Sequence, residues 1–368
     1  MKIAILFDGA SAYATKPDQL IVGTVEAIEQ SLVSEGNTVG YLPVYQDGKW
    51  IDKLRRGKFH LAFNMCEGID GVAALEPAVI SVLELFKMPF TGASSYTTAL
   101  ALRKHVVNGV LDKAGLPIPR FAAIRRGDPL VSVGFPAIVK PAAEDASLGV
   151  SQQSVVRTMR QLAERVGAML ELWDEVLVQR YVDGREVNVG VLGDAVLPIS
   201  EIDFGKMPRG RWRIVTYQSK WEPGSIDDVG GEPRCPARLP AKVAQEIRRV
   251  ALGAWKLVDG FGYGRVDMRV DAAGRPWILE VNANPDIAPD AGLARMARVA
   301  GMEYPALIRA ICELALSRAR AVPPADEWQL AQRLSGVIPT LPANGELDLF
   351  AEAQADPSAS NTSEAARS

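Results

Sequence analysis

YGRVDMRVDAAGRPWILEVNANP, residues 263–285, consists of two alternating runs separated by DAAGR, which supplies turn chemistry. The pattern predicts two short strands in a hairpin. Successive strand side chains point to opposite faces. Arg265, Asp267 and Arg269 then share one face of the first strand, with Val266, Met268 and Val270 on the other. On the second, Ile278, Glu280 and Asn282 share one face and Trp277, Leu279 and Val281 the other. Folding about 273–274 sets Asp267 opposite Glu280, with Asn282 one step further along. Two carboxylates and an amide oxygen beside an arginine are hard ligands that suit Mg²⁺, which takes one or two carboxylates plus nucleotide phosphates. An amphipathic hairpin with a solvated charged face has the same pattern, so the hairpin alone leaves both readings open.

The bulk properties narrow the setting. At 368 residues the chain exceeds one small core, and two or three domains are expected. A net charge of −3 gives no reason to expect nucleic acid or an anionic membrane as a partner. Cys66, Cys235 and Cys312 are odd in number and widely spaced, which argues against a disulfide framework or a zinc site and fits a reducing cytoplasm. With only His60 and His105, a histidine-centred triad is not expected. The opening MKIAILF is apolar too briefly for a signal peptide and reads as a buried first strand. No run reaches the length of a membrane span.

Working outward, strand and helix alternate through residues 1–100, which implies a parallel α/β sheet. A single helix over 96–114 leads into a small α+β unit at 101–182, with strands at 121–124, 135–141, 149–156 and 175–181 and a helix at 158–173. The third part, 183–322, holds a hairpin over 193–194, an amphipathic helix at 239–258, the 263–285 hairpin and a last helix from 292 to 320. Pro323-Pro324 begins an extension, 323–368. Scattered apolar residues in 326–350 offer something to dock, and the polar tail after them reads as disordered. The fold class expected is α/β.

Four upstream segments could handle a nucleotide. Lys140 ends an apolar strand before the turn-rich loop EDASLGV, a plausible phosphate cradle, although a strand and a surface loop look the same. Lys104 is a single basic residue at a helix. VQRYVDGRE offers backbone groups at 180–182 to an adenine edge and Glu186 to ribose hydroxyls; a sheet-edge strand with a tight turn explains it equally. Lys220, flanked by Tyr217 and Trp221 in a loop-like stretch, is placed to be either a lid lysine or a surface one.

Taken in order, FNMCEGIDG, MPFTGAS, LRKHVVNGVLDKAGLPIP, FPAIVKP with EDASLGV, VQRYVDGREV, YQSKW, GYGRVDMRV and ILEVNANP resemble the ATP-grasp superfamily, and within it the D-alanine–D-alanine ligase-like carboxylate–amine ligases, over roughly residues 1–320. The resemblance implies an N-terminal α/β domain, with ATP between a central and a C-terminal ATP-grasp subdomain. It implies that Lys104 and Lys140 bind ATP phosphates, and that Ser147 and Gly149 belong to the loop closing over them. Gln179, Tyr181 and Val182 would line the adenine pocket, with Glu186 at the ribose. Lys220 would approach the γ-phosphate, Arg265 the reacting groups, and Asp267, Glu280 and Asn282 two Mg²⁺ ions, Glu280 bridging, with Mn²⁺ an alternative. ATP would phosphorylate a carboxylate and an amine would attack the acyl phosphate. Relatives of this kind are commonly homodimers and cytoplasmic.

The departures concern the substrates. Where D-alanine–D-alanine ligases carry two adjacent serines in the phosphate loop, the first position is Ala146. Their tyrosine after the catalytic lysine is Trp221, and the GG-x-S-x-E signature is absent from ILFDGASAYATKPDQ. DIAPDAG replaces their serine-containing stretch. The pair joined is therefore expected to be an amino acid, peptide or small carboxylated metabolite with an amine, other than two D-alanines. Asp286 and Asp290 stand where the second substrate should sit; either could attract an amine or cap the following helix. An authentic D-alanine–D-alanine ligase, a phosphotransferase or carboxylase on the same fold, and a non-catalytic nucleotide-binding protein are the alternatives.

Overall fold

A computed structural model describes residues 1–10, 17–144 and 147–321. The 326–350 segment, the polar tail, part of the stretch lacking the GG-x-S-x-E signature, and Ala146 lie outside them. The first part comprises β1 (Lys2–Asp8), α1 (Pro17–Ser34), β2 (Thr38–Val44), α2 (Lys49–Arg56), β3 (Leu61–Asn64) and α3 (Glu76–Leu85). Its strands form a parallel sheet of order β2-β1-β3, as the alternation predicts. Both faces of β1 are covered, which is why KIAILF is a nearly continuous apolar run. Ile3 and Ile5 pack with Val25, Ile28 and Leu32 of α1, while Ala4 and Leu6 meet Trp50 and Leu54 of α2 and Val79 and Leu83 of α3.

The helix expected over 96–114 is two, α4 (Ser95–Leu102) and α5 (Lys104–Lys113), broken at Arg103, whose φ of −93° and ψ of 74° leave the helical region. The Lys104 N–H donates to Ala142 O at 3.2 Å. The second sheet, antiparallel with order β4-β7-β5-β6, contains β4 (Phe121–Arg125), β5 (Ala137–Pro141), β6 (Val155–Val156) and β7 (Glu175–Arg180), backed by α6 (Met159–Leu170). Of the strand expected at 149–156 only β6 pairs. Ser151 N–H donates to Ser154 Oγ at 3.0 Å, and Gln153 N–H donates to Ser151 Oγ, so 152–154 turns as a short 3₁₀ helix. Serine side chains compete with the ladder in this way.

The third sheet contains β8 (Arg185–Leu192), β9 (Ala195–Val196), β10 (Ser200–Asp203), β11 (Glu232–Arg234), β12 (Tyr263–Val270) and β13 (Pro276–Asn282), in the order β11-β10-β8-β12-β13 with β9 on β8. Between β10 and β11 lie α7 (Tyr217–Trp221) and α8 (Ile226–Gly230); α9 (Ala241–Leu257) covers one face. Ile247, Val250, Ala254 and Trp255 of α9 pack on Val187, Val189, Val266 and Met268. The last helix is likewise two, α10 (Gly292–Val299) and α11 (Tyr304–Ala321). Gly301, at φ +84°, ends α10, and the Met302 N–H bonds back to Ala297 O at 3.0 Å.

The hairpin has the predicted register, Asp267 opposite Glu280, with Arg265 opposite Asn282. Its second strand departs from strict alternation. Met268 pairs with Ile278, so Leu279 is an extra residue, a β-bulge. Ile278 and Val281 both enter the core under α9, and Glu280 and Asn282 keep the opposite face. The expectation that Ile278 shares a face with Glu280 is thus corrected: the bulge re-aims the carboxylate, a common use of bulges near active sites.

Gly184 joins β7 to β8 at φ +154°, and a Cβ there would lie 2.0 Å from Val270 O. Backbone cannot yield that far. Gly184→Ala is expected to cost about 1–3 kcal/mol or more and to lower the melting midpoint by at least ~3 °C; an unchanged midpoint in a thermal melt would contradict the close approach.

Candidate active site

One face of the third sheet carries the polar residues in register. Glu186 and Asn188 on β8 stand opposite Arg269 and Asp267 on β12, and Asp267 in turn stands opposite Glu280 on β13. Asp267 accepts from Arg265 Nε at 2.8 Å, Arg265 Nη2 at 2.9 Å and Asn188 Nδ2 at 2.7 Å. Glu280 Oε1 lies 3.1 Å from Lys104 Nζ. Asn282 Oδ1 accepts from the Asn284 N–H at 2.9 Å. Burial alone would lower the Arg265 pKa, but the adjacent Asp267, aided by Glu280 and Asp286, outweighs it and holds the guanidinium above its ordinary value. Among the described residues no three His, Cys, Asp or Glu side chains cluster as a self-sufficient metal cage. Two facing carboxylates and an amide fit Mg²⁺, an ion that completes its shell with phosphate oxygens and water.

The break at Arg103 lets Lys104 begin a new helix. Its side chain is almost fully buried and donates to Glu144 O at 2.5 Å as well as meeting Glu280. Lys140, on β5, shares this field: burial lowers its pKa, Glu280, Glu186 and Asp267 push it back up, and Lys104 lowers it further. Ser147 adopts a left-handed φ of 61° and its carbonyl accepts from the Val150 N–H at 3.0 Å. Gly149 O accepts from Arg165 Nη2 at 2.8 Å.

At the other end Gln179 is 1% exposed and its Nε2 has no hydrogen-bond partner. A buried unpaired donor costs about 1–3 kcal/mol, and a heterocyclic ring nitrogen is the kind of acceptor that would remove this cost. The Tyr181 N–H already donates to Pro136 O at 3.0 Å. Val182 lines a cavity of about 690 Å³ together with Pro117, Arg180 and Trp277, which contains neither the lysines nor the carboxylates above. Glu186 is buried, which raises its pKa, while Arg269, with Nη2 at 2.7 Å, opposes the rise.

Lys220 lies not in a loop but in α7, whose Thr216 cap accepts from the Ser219 N–H at 3.2 Å. The Lys220 charge helps hold down the Glu186 pKa, which puts it within electrostatic range of that carboxylate. The Trp221 ring lies 6.3 Å from that of Tyr217, tilted by 41°, and the Tyr217 N–H donates to Val150 O at 2.9 Å. Neither Asp286 nor Asp290 caps α10, whose N-cap is Ala291. Asp286 is exposed, accepts from the Ala288 N–H at 2.8 Å and lies in the field of Arg265. Asp290 is also exposed, and its carbonyl accepts from Arg295.

Two further residues join this face. Asn188 becomes visible only through the β8–β12 register. Arg269, 3% exposed, ties Glu186 to Gly184 O at 3.2 Å and to Arg213 O, and sits over the Tyr181 ring at 5.4 Å. Its alternation with Arg265 and Asp267 was the available signal.

The sequence model of the family described as D-ala D-ala ligase C-terminus matches residues 110–313. The uncharacterized protein y4sG of Sinorhizobium fredii is 29% identical over 306 residues, 82% of this chain and 87% of that protein. A D-alanine–D-alanine ligase of Dechloromonas aromatica is 30% identical over 320 residues, 85% of this chain and 97% of the relative. The solved D-alanine–D-alanine ligase of Bacillus anthracis complexed with ATP superposes with a TM-score of 0.71 at 20% identity, over 87% of this chain and 99% of that one, a likeness of fold. With a family match over more than half its length and a relative at 30% identity along nearly its whole length, the chain belongs to the D-alanine–D-alanine ligase family of ATP-grasp enzymes, ligases that form carbon–nitrogen bonds.

Proposed function

We propose that the protein joins a carboxylate to an amine at the expense of ATP, through an acyl phosphate, on a substrate pair other than two D-alanines. The observation that carries this reading is Asp267 facing Glu280 across the hairpin, in one electrostatic field with Arg265, Lys104 and Lys140. In it, a substrate carboxylate oxygen attacks the γ-phosphorus and ADP leaves. The amine then attacks the acyl carbon, phosphate departs and the amine gives up a proton. Phosphoryl transfer asks for in-line positioning and charge neutralisation. Lys104 and Lys140 hold phosphate oxygens, Ser147 and Gly149 close over them, and Lys220 reaches the γ-phosphate. Arg265 faces the transferring group. Gln179, with Tyr181 and Val182, takes the adenine, and Glu186, steadied by Arg269, takes the ribose. Asp267, Glu280 and Asn282 would hold two Mg²⁺ ions (or Mn²⁺), which when bound neutralise phosphate charge.

The runner-up, an authentic D-alanine–D-alanine ligase, draws on the names of relatives such as that of D. aromatica. Against it stand Trp221 on α7, where those ligases carry a tyrosine, and DIAPDAG in place of their serine-containing stretch, whose exposed Asp286 carboxylate would repel rather than hold the carboxylate of a second D-alanine. A pairwise screen of D-alanine, other amino acids, dipeptides and small carboxylates for ADP release separates the two. D-alanine alone giving the highest rate would favour the runner-up. Among the described residues no helix is long and apolar enough to cross a membrane; we place the reaction in the cytoplasm, where ATP is available.

The lowered pKa of Lys140 has a sign that can be checked. A lysine that loses its proton early stops attracting phosphate early. ATP affinity of the free enzyme is therefore expected to weaken on the alkaline side below the ordinary lysine value of about 10.4. Lys140→Arg should move that limb upward, as titrated by calorimetry; coincident limbs would remove Lys140 from the phosphate site.

A further inference from the structure

We infer that Gln152 and Asp227 form a clasp coupling residues 205–230, the segment between β10 and β11 that carries α7 and acts as a lid, to residues 147–154, the end of the phosphate loop and the turn after it, so that the two open and close as one body and α7 is held in place. Asp227 is a positioning residue in this account, and its link to Lys220 rests on the function proposed above. Its carboxylate has no solvent exposure. Oδ1 accepts from Arg211 Nε at 2.8 Å, Arg211 Nη2 at 2.6 Å and Gln152 Nε2 at 3.1 Å, and Oδ2 accepts from Thr216 Oγ1 at 2.8 Å. A buried carboxylate persists only where donors replace water, and here one donor comes from outside the lid.

That donor is held from both ends. Gln152 Oε1 accepts from the Trp212 N–H at 2.7 Å and its Nε2 also donates to Trp212 O at 3.2 Å. A single side chain beside the phosphate loop therefore bonds two separate points of the lid. Thr216, bonded to the same carboxylate, is the N-cap of the helix that carries Lys220. The Tyr217 N–H donating to Val150 O adds a second strut between the same two segments. Trp212 packs edge-on to Tyr181 at 5.1 Å, with Arg157 over its ring at 4.7 Å. Swinging the lid away alone would strip Asp227 of Gln152 and unpair the Trp212 backbone. Moving lid and loop together preserves the Gln152 bonds to Asp227 and Trp212 and the Tyr217–Val150 bond, giving up only the packing of Trp212 on Tyr181 and Arg157, which is the physical reason for joint motion.

The test uses the full chain. Gln152→Glu sets a second carboxylate against Asp227 and removes a donor. Without nucleotide, trypsin cleavage within 205–230 is expected to accelerate about tenfold, since cleavage follows the population of the open form. The double variant Gln152→Glu with Asp227→Asn restores a donor to face Glu and should return cleavage to within about threefold of the parent. With nucleotide, Gln152→Glu should lower kcat about tenfold while KM for ATP moves less than about threefold. Should Gln152→Glu fail to fold, as judged by its thermal melt, Gln152→Ala carries the same expectation with a smaller effect. Unchanged cleavage in the single variant, or no recovery in the double, overturns the clasp. A parent chain without ATP turnover whose cleavage still responds to Gln152→Glu removes the ligase reading and leaves the clasp standing.

Discussion

Replacing Glu280 with glutamine is expected to lower ADP release by about a thousandfold or more, the scale of losing a first ligand for the charge that stabilises a transferring phosphoryl group. Glutamine is the informative substitution because of Lys104. That ammonium is 4% exposed and lies 3.1 Å from Glu280. Glutamine keeps an acceptor oxygen for it, whereas alanine strips a partner from a buried cation, which costs about 3–5 kcal/mol in such pairs. The variant should therefore melt close to the parent while losing turnover. Because the bulge at Leu279 aims Glu280 at Asp267 rather than into the α9 core, the effect should be confined to the chemistry. Activity near the parent level in a coupled ADP assay would remove Glu280 from the metal site.

Lys220→Ala should act differently, lowering kcat about a hundredfold while KM for ATP changes less than about threefold. Lys220 sits on the short helix α7, away from the buried Lys104 and the partly buried Lys140, and its charge lies within electrostatic range of Glu186. A residue delivered by lid closure contributes most once the nucleotide is already held. An unchanged kcat would show that α7 does not reach the γ-phosphate.

The hairpin illustrates what the sequence makes legible. Alternation and turn chemistry are local, so the Asp267–Glu280 register follows from spacing. The bulge does not follow, because Leu279 is extra only with respect to its partner strand. The same limit hides Asn188 and the Glu186–Arg269 pair, which are set by how β8 lies beside β12. The break at Arg103 carries no glycine or proline; a tertiary bond from the Lys104 N–H to Ala142 sustains it. Two features had local signals. Gly301 marks the end of α10, and Thr216 ahead of YQSKW is a helix cap, which short length disguised as a loop.

Under the proposed function, ATP drives amide formation through an acyl phosphate at this hairpin. The most direct test supplies the carboxylate substrate found by the pairwise screen with heavy oxygen in its carboxyl group, together with its amine and Mg-ATP, and follows the label by mass spectrometry. The account predicts ADP, phosphate and amide in equal amounts, with one labelled oxygen carried from the carboxylate into the phosphate. Amide formed with unlabelled phosphate, or a phosphorylated product without amide, would contradict it.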